Sequence, residues 1–173
     1  MEHFSNQTID IKQLPRYEEI ELIKLNPKYL KVILINILFF ESLIIAASLV
    51  VTFFVFDDLS GRVYLLSGIG TTFLTALILV FPILGFKKKA FAFREHDVIY
   101  QSGIIATNTM IIPYNRVQHV ALHEGFLSRM FGLASIEIFT AGGSSSDISI
   151  SGIQKEEAEN IKQLLMGKIQ KQL

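Results

Sequence analysis

The chain has 173 residues, of which 50% are hydrophobic and 18% are charged, and its mean hydropathy is +0.43. Because an average soluble domain has about 25% charged residues, this composition favours membrane segments over one large soluble core. The 16 basic residues balance the 16 acidic ones, which argues against a nucleic-acid-binding protein. The chain has no cysteine, which excludes disulfides, thiolate zinc sites and a cysteine nucleophile.

The first segment, residues 1–26, mixes charged and apolar side chains and is interrupted by Pro15. Charged and apolar residues alternate over residues 17–25, and this pattern leaves two interpretations open. The segment either lies along the membrane surface or forms a solvated arm. Since its acidic residues weaken adhesion to anionic lipid, we expect a solvated cytoplasmic N-terminal arm.

Two long apolar runs follow, over residues 32–56 and 63–86. A helix needs about 20 apolar residues to cross the hydrocarbon core of a bilayer, and both runs meet this requirement. The helices of a soluble bundle carry a polar stripe, whereas these runs are apolar nearly all round. Asn26 and Pro27 suit the N-cap and first position of a helix that begins before the first run. The sequence therefore predicts a transmembrane helical hairpin over residues 27–89.

Basic residues mark one end of this hairpin, and they are Lys24, Lys28, Lys31, Lys87, Lys88 and Lys89. The turn between the two runs has one basic residue, Arg62, beside Asp57 and Asp58. Because lysine and arginine are enriched in cytoplasmic loops, we expect a multi-pass protein of the cell membrane with both termini in the cytoplasm.

An acidic residue, Glu41, lies inside the first apolar run. Insertion of this residue into the membrane costs about 3 kcal/mol. The Leu, Ile, Val and Phe residues of the run favour insertion by roughly 5 to 11 kcal/mol, so the helix is still expected to insert. In the second run Thr71 and Thr75 recur at helical spacing, and Gly68 and Thr72 form a small-xxx-small pair. We expect a close helix contact in which Glu41 hydrogen-bonds Thr75. Glu41 then serves either packing or a partner-docking or proton-linked site, because intramembrane acids usually face protein or water.

Residues 90–173 have shorter apolar runs, punctuated by Gly, Ser and Asp. Short segments rich in β-branched and aromatic residues predict strands near residues 90–94, 98–102, 107–113, 117–122, 135–140 and 147–151. Residues 126–131, between two glycines, suit one or two helical turns. Helical spacing of apolar residues predicts a C-terminal helix that contains Ala158, Ile161, Leu164, Leu165 and Ile169. The fold class is therefore a membrane helical hairpin plus a small antiparallel β domain closed by a C-terminal helix.

No group of residues forms a recognisable catalytic or metal-binding motif. His119 and His123 lie on one predicted strand about 13 Å apart, too far to share an ion. The serines at 144–146 and Asp147 lie in a turn without a nucleophile elbow, and the glycines before them lack the lysine of a phosphate-binding loop. We expect no metal, no cofactor and no enzymatic activity.

Four stretches of the second half form a specific set, and they are residues 112–120 (IPYNRVQHV), 125–134 (GFLSRMFGLA), 140–143 (TAGG) and 150–153 (ISGI). Together with the two apolar runs, they resemble the YdbS-like bacterial pleckstrin-homology (PH) domain family, also called membrane-flanked domain proteins. The resemblance covers both runs and essentially all of residues 90–173. It implies a PH-like fold, which is a bent antiparallel sheet capped by a C-terminal helix.

The resemblance also implies a function without catalysis. Family members often occur beside a larger relative with several copies of the module, and some are linked to resistance against antimicrobial compounds. We expect a membrane protein that presents a cytoplasmic PH-like binding or scaffolding module, as a subunit of an envelope complex or a homo-oligomer. The alternative is an accessory subunit of a transport or export complex, with Glu41 in an intramembrane site. Candidate contacts to lipid headgroups are Lys87, Lys88, Lys89, Arg94, Arg116 and Arg129.

Overall fold

A computed structural model of the chain describes residues 17–55, 61–141 and 148–170. After a 3-10 turn at Tyr17–Glu19, the chain forms a two-residue strand, β1 (Ile23–Lys24). Two long helices follow, α1 (Pro27–Val55) and α2 (Gly61–Lys88). Both are long and apolar enough to cross a membrane, and hardly any of their side chains are buried by the rest of the chain. This exposure fits helices whose surroundings are lipid.

The start of α1 is capped as the sequence predicts. The side-chain oxygen of Asn26 accepts a hydrogen bond of 2.9 Å from the backbone N–H of Lys28, and Pro27 is the first helical residue. Asparagine at this position satisfies a backbone donor that has no partner inside the helix. The helix therefore begins before the apolar run, and its first turns lie outside the most apolar part of the chain.

Six strands and two helices form the rest of the described chain. The strands are β2 (Ala90–Phe93), β3 (Asp97–Ser102), β4 (Asn108–Pro113), β5 (Val117–His123), β6 (Leu133–Thr140) and β7 (Ile148–Gln154). The helices are α3 (Phe126–Met130), between β5 and β6, and α4 (Lys155–Gln170) at the end. The predicted strands and both predicted helices agree with these elements within a few residues.

The strands form two antiparallel sheets. One has the order β1-β2-β3-β4 and the other the order β5-β6-β7, and a 3-10 turn at Tyr114–Arg116 separates them. Alternate residues of β6 and β7 point inward, and Ile136, Ile138 and Ile150 are fully buried there. Helix α4 contributes Ala158 and Leu165 to the same core. The expected PH-like β domain with a C-terminal helix is thus confirmed, with its sheet divided into two parts.

The described part of the N-terminal arm, residues 17–26, differs from the solvated segment that we expected, and residues 1–16 lie outside the described residues. Ile23 lies opposite Phe91 and Lys24 opposite Ala90, so the arm adds a short strand to the edge of β2. Leu25 is buried in the core of the β domain. The hairpin brings the start of α1 close to the end of α2, and the free backbone groups of β2 then find partners in β1.

A glycine of β7 lies directly against the first turn of α1. Gly152 has a φ of +77°, and its carbonyl accepts a 2.9 Å hydrogen bond from the backbone N–H of Asn26. A Cβ atom on Gly152 would lie 2.5 Å from Cγ of Tyr29. Since only glycine combines this φ with so close an approach, the residue fixes the β domain against the membrane hairpin.

Candidate functional site

The turn between β2 and β3 is held by a connected polar network. Arg94 donates two hydrogen bonds to the carboxylate of Asp97, one of them 2.5 Å from Nε to Oδ1. The buried Tyr114 donates a 2.6 Å hydrogen bond to the backbone carbonyl of Arg94. Lys168 of α4 donates to the carbonyl of Glu95 at 2.9 Å and lies 5.9 Å from the centre of the Tyr114 ring.

This network alters the proton affinity of its members. The hydrogen bonds to Asp97 raise the pKa of Arg94. Burial, with a smaller contribution from the charge of Asp97, raises the pKa of Tyr114 to about 12. Both changes favour the protonated side chains that hold the turn together. Arg94 therefore has a structural role at this end of the sheet.

The predicted headgroup contacts separate into two groups in the structure. Strand β2 runs away from the end of α2, and its four residues put Arg94 about 13 Å from that end. Arg116 lies at the same remote end, because the N–H of nearby Tyr114 donates to the carbonyl of His96. Arg116 is exposed in a shallow cleft of about 290 Å³ between the ends of β4 and β6. These two arginines do not adjoin the lysines at the end of α2.

The remaining basic candidates lie near the helices. Lys87 and Lys88 are exposed in the last turn of α2, where lysine complements the helix dipole. Lys89 is half-buried and lies beside the loop between β3 and β4. Arg129 is exposed on α3, which packs beside α1. The structure thus brings these four residues to the side of the β domain that faces the hairpin.

Glu41 is the buried acidic residue of the hairpin. Its exposed fraction is 9%, and neither carboxyl oxygen has a hydrogen-bond partner in the part of the chain that the structure describes. The predicted bond to Thr75 is wrong, because the Thr75 hydroxyl donates to the carbonyl of Thr71 at 3.0 Å. Hydroxyls in apolar helices commonly bond to the preceding turn, and this leaves the carboxyl group unpaired.

The small residues of α2 do not form the predicted contact with α1. A Cβ atom on Gly68 would meet nothing within 4 Å, and Thr72 is exposed with its hydroxyl bonded to the Gly68 carbonyl at 2.8 Å. The two residues line an open groove together with Tyr64 and Phe73. Thr71 and Thr75 are half-buried. The five candidate residues of the intramembrane site therefore do not converge on one point.

Metal-binding candidates do not come together either in the part of the chain that the structure describes. Among the described residues, no three His, Asp or Glu side chains are placed to hold a metal ion. The ring of His119 stacks on Phe139, with ring centres 4.1 Å apart. The serines at 144–146 and Asp147 lie outside the described residues, so their arrangement stays a prediction.

Sequence reasoning missed the apolar residues that protrude from the β domain. Ile105, in the loop between β3 and β4, is 97% exposed, and Phe126 and Met130 of α3 are 81% and 70% exposed. Residue 105 falls between two predicted strands, and residues 126 and 130 fall in the predicted helical turns, so no role is predicted for them from the sequence. The apolar pair at 104–105, which directly follows Gly103, was the available signal, because turns are usually polar.

The fold and these surfaces define a class of protein, a PH-like β domain fixed to a membrane-spanning helical hairpin. The family model described as "Bacterial PH domain" matches residues 32–169, and the chain belongs to this family. It is a membrane protein with a PH-like domain.

The curated relatives are membrane proteins of Bacillus subtilis (strain 168). The chain is 33% identical to UPF0699 transmembrane protein YdbS over 59% of its own length and 58% of that protein. It is 26% identical to UPF0699 transmembrane protein YdbT over 50% of its own length and 18% of that protein. The chain thus covers less than two thirds of either relative. No solved structure matches the chain significantly.

Proposed function

We propose that this protein is a non-enzymatic binding or scaffolding module held at the cytoplasmic surface of the cell membrane, as a subunit of an envelope complex. The observation that carries the proposal is the fixed attachment of the β domain to the hairpin through β1 and Gly152. A domain held in this way has a high effective concentration for partners in the same membrane. The lysines at 24, 28 and 31 and at 87–89 support the cytoplasmic orientation.

The partner of this module would be a larger PH-domain membrane protein or a second copy of the chain. The similarity to YdbT, a relative several times longer than the matched region, supports a larger partner. The resemblance to the family further suggests resistance to antimicrobial compounds as the process that the complex serves. Lipid headgroups would contact Lys87, Lys88, Lys89 and Arg129.

The outer edge of β4 is the surface that best suits a protein partner. Strand β4 pairs with β3 on one side and has no second strand partner within the described residues. Ile111 is 41% exposed, and with the exposed Arg116 it lines the cleft at this edge. A partner strand can add to such an edge through backbone hydrogen bonds, while neighbouring side chains provide specificity.

Native mass spectrometry of the tagged protein, extracted gently from its own membrane, tests this proposal. We expect a defined membrane protein to co-purify and to be lost from the variants Ile111→Glu and Arg116→Glu. Gln118→Glu, at an exposed position on β5, is the matched control and should retain the partner. A bare monomer in all samples would contradict the scaffold function.

An accessory subunit of a transport or export complex is the second candidate, because Glu41 is buried and unpaired. A buried polar group without a hydrogen-bond partner destabilises the fold. Such groups inside membrane helices commonly mark functional sites. Two helices cannot enclose a path for a solute, so a path would require further copies of the chain or other subunits. Thr71 and Thr75, or Gly68 and Thr72, would then lie at the contacts between helices of different subunits.

Ion or solute flux in reconstituted vesicles tests this second candidate. We expect Glu41→Gln to abolish the flux and Ser42→Ala, a change at the adjacent residue, to leave it intact. If Glu41→Leu leaves both the native complex and the flux unchanged, then Glu41 belongs to neither a docking site nor a transport path.

A further inference from the structure

The two helices are longer than the bilayer that they cross. At 1.5 Å per residue, the 29 residues of α1 and the 28 residues of α2 measure about 43 and 42 Å. The hydrocarbon core is about 30 Å thick. Each helix therefore extends beyond the hydrocarbon by roughly eight residues.

Charge fixes the end at which this excess lies. Arg62, in the first turn of α2, marks the surface of the membrane remote from the β domain, and the apolar part of α2 starts at Val63. About 20 residues from there bring the hydrocarbon boundary close to Pro82. The same count back from Val55, the last residue of α1, reaches Asn36. The excess length lies on the side of the β domain.

Two apolar projections of the β domain reach this boundary. The loop between β3 and β4 lies beside α2, where Cδ1 of Ile104 would be 3.5 Å from a Cβ atom on Gly85. A cleft of about 640 Å³ between this loop and the helices is lined by Phe81 and Pro82. Ile105, in the middle of this loop, is 97% exposed.

The second projection is α3, which lies beside α1. A cleft of about 380 Å³ separates the two and is lined by Asn36, Phe39 and Phe126. Phe126 and Met130 are 81% and 70% exposed. Both projections therefore carry exposed apolar side chains at the level where the hydrocarbon ends, each beside one of the spanning helices.

Charged residues beside the two projections complete the pattern of an interfacial surface. Lys89 lies beside the β3–β4 loop, just after the exposed Lys87 and Lys88 of α2, and Arg129 is exposed between Phe126 and Met130 along α3. Long basic side chains reach headgroups while apolar neighbours lie in the acyl region. Insertion into lipid requires both projections to lie at the hydrocarbon boundary that the helix lengths define. Binding of a protein partner would not require this.

We infer that the β domain is inserted into the lipid bilayer at two points, through Ile105 beside α2 and through Phe126 and Met130 beside α1, and that acyl chains fill the clefts between these projections and the helices. The inserted surface determines which face of the domain is turned to the membrane. It leaves the β2–β3 turn, at the opposite end of β3, and the adjoining end of β4 directed away from lipid. This inference goes beyond the proposed scaffold function and does not depend on a protein partner.

The absence of cysteine from the chain permits a direct test. Single-cysteine variants Ile105→Cys, Phe126→Cys and His96→Cys are reconstituted as full chains into vesicles of phosphatidylcholine and phosphatidylglycerol. His96 is the matched control, since its side chain is 85% exposed and lies on the turn at the opposite end of β3. Because the three positions are similarly exposed in the protein alone, a difference in reaction rate or quenching between them would reveal burial in the bilayer.

Two measurements are made on each variant. One is the rate of reaction with a membrane-impermeant maleimide, and the other is quenching of an attached fluorophore by lipids spin-labelled near the top of the acyl chain. We expect reaction at least tenfold slower, and quenching several-fold stronger, at positions 105 and 126 than at 96. The three rates should become equal in denaturing detergent.

Equal reaction rates and equal quenching in vesicles would overturn the inference. Slow reaction without quenching, accompanied by disulfide cross-links between copies at position 105 or 126, would also overturn it, because a second chain would then cover the surface. Loss of a co-purifying partner would affect the scaffold function and leave these measurements unchanged.

Discussion

Substitution of Gly152 by alanine measures how strongly the β domain is held against α1. The new Cβ atom would lie 2.5, 2.6 and 2.8 Å from Cγ, Cβ and Cδ1 of Tyr29. Because these tyrosine atoms are close to the helix backbone, a simple rotation of the Tyr29 side chain cannot move them away from the new Cβ atom. Alanine at a φ of +77° also adopts a left-handed conformation, which costs roughly 1–2 kcal/mol. Overpacking adds about 1–3 kcal/mol.

Gly132 provides a matched control for the conformational part of this cost. Its φ is +68°, and a Cβ atom there would meet nothing within 4 Å. Gly132→Ala should therefore lower the free energy of unfolding by roughly 1–2 kcal/mol, and Gly152→Ala by about 2–5 kcal/mol. The difference between the two variants isolates the contact with Tyr29.

Thermal unfolding in mild detergent, followed by circular dichroism, measures the difference. A change of 1 kcal/mol shifts the midpoint of a domain of this size by about 4–8 °C, so Gly152→Ala should melt at least about 4 °C below Gly132→Ala. Combining Gly152→Ala with Tyr29→Ala should relieve the loss only in part, because the Cβ atom at position 29 remains. If the two glycine variants melt together, then Gly152 does not join the domain to the helix.

Four further substitutions test the packing of the domain. Leu25→Ala should cost about 2–5 kcal/mol, and Ile23→Ala, at a half-exposed position, less than about 1 kcal/mol, because only Leu25 is in the core. Chemical denaturation compares these two variants, and equal losses would contradict a role for the arm in the fold. Tyr114→Phe should cost about 1 kcal/mol, the usual value of one hydrogen bond, as measured by the same method. Because the pKa of Tyr114 rises to about 12 in the fold from an ordinary value near 10, stability should fall from about pH 10 upward. That loss should be smaller in Tyr114→Phe, and an identical alkaline decline would contradict this explanation. Asp97→Asn should loosen the β2–β3 turn and speed amide hydrogen exchange near Arg94, and unchanged exchange would show that the ion pair does not hold the turn.

The main elements of the fold follow from local patterns in the sequence. The apolar runs, the cap at Asn26 and the helical spacing around Leu165 each depend on neighbouring residues, and the structure agrees with them. Strand β1 could not be predicted in this way. It has two residues, and it forms because the hairpin brings Lys24 opposite Ala90. Such a pairing depends on tertiary structure and leaves no pattern along the chain.

The candidate sites were harder to predict for a related reason. Residue spacing placed Thr75 near Glu41, yet the hydroxyl already had an acceptor at the Thr71 carbonyl of its own helix. The sequence suggested that the six basic residues form one group of headgroup contacts. In the structure, strand β2 places Arg94 away from the lysines that precede it in the chain. The direction of each loop relative to the bilayer depends on strand topology and register, and composition contains neither.

The pairing of β1 with β2 ties the two helix ends beside the β domain to each other. Lys24 and Ala90, the residues that flank the hairpin, lie opposite one another in the sheet. These ends of the helices cannot spread apart unless this strand pair breaks, so scissor-like opening of the hairpin is opposed at its base. Motions that keep the two ends together, such as a common tilt of both helices in a bilayer of different thickness, would carry the whole sheet with them. Through this link the β domain would change its inclination when the membrane changes its thickness.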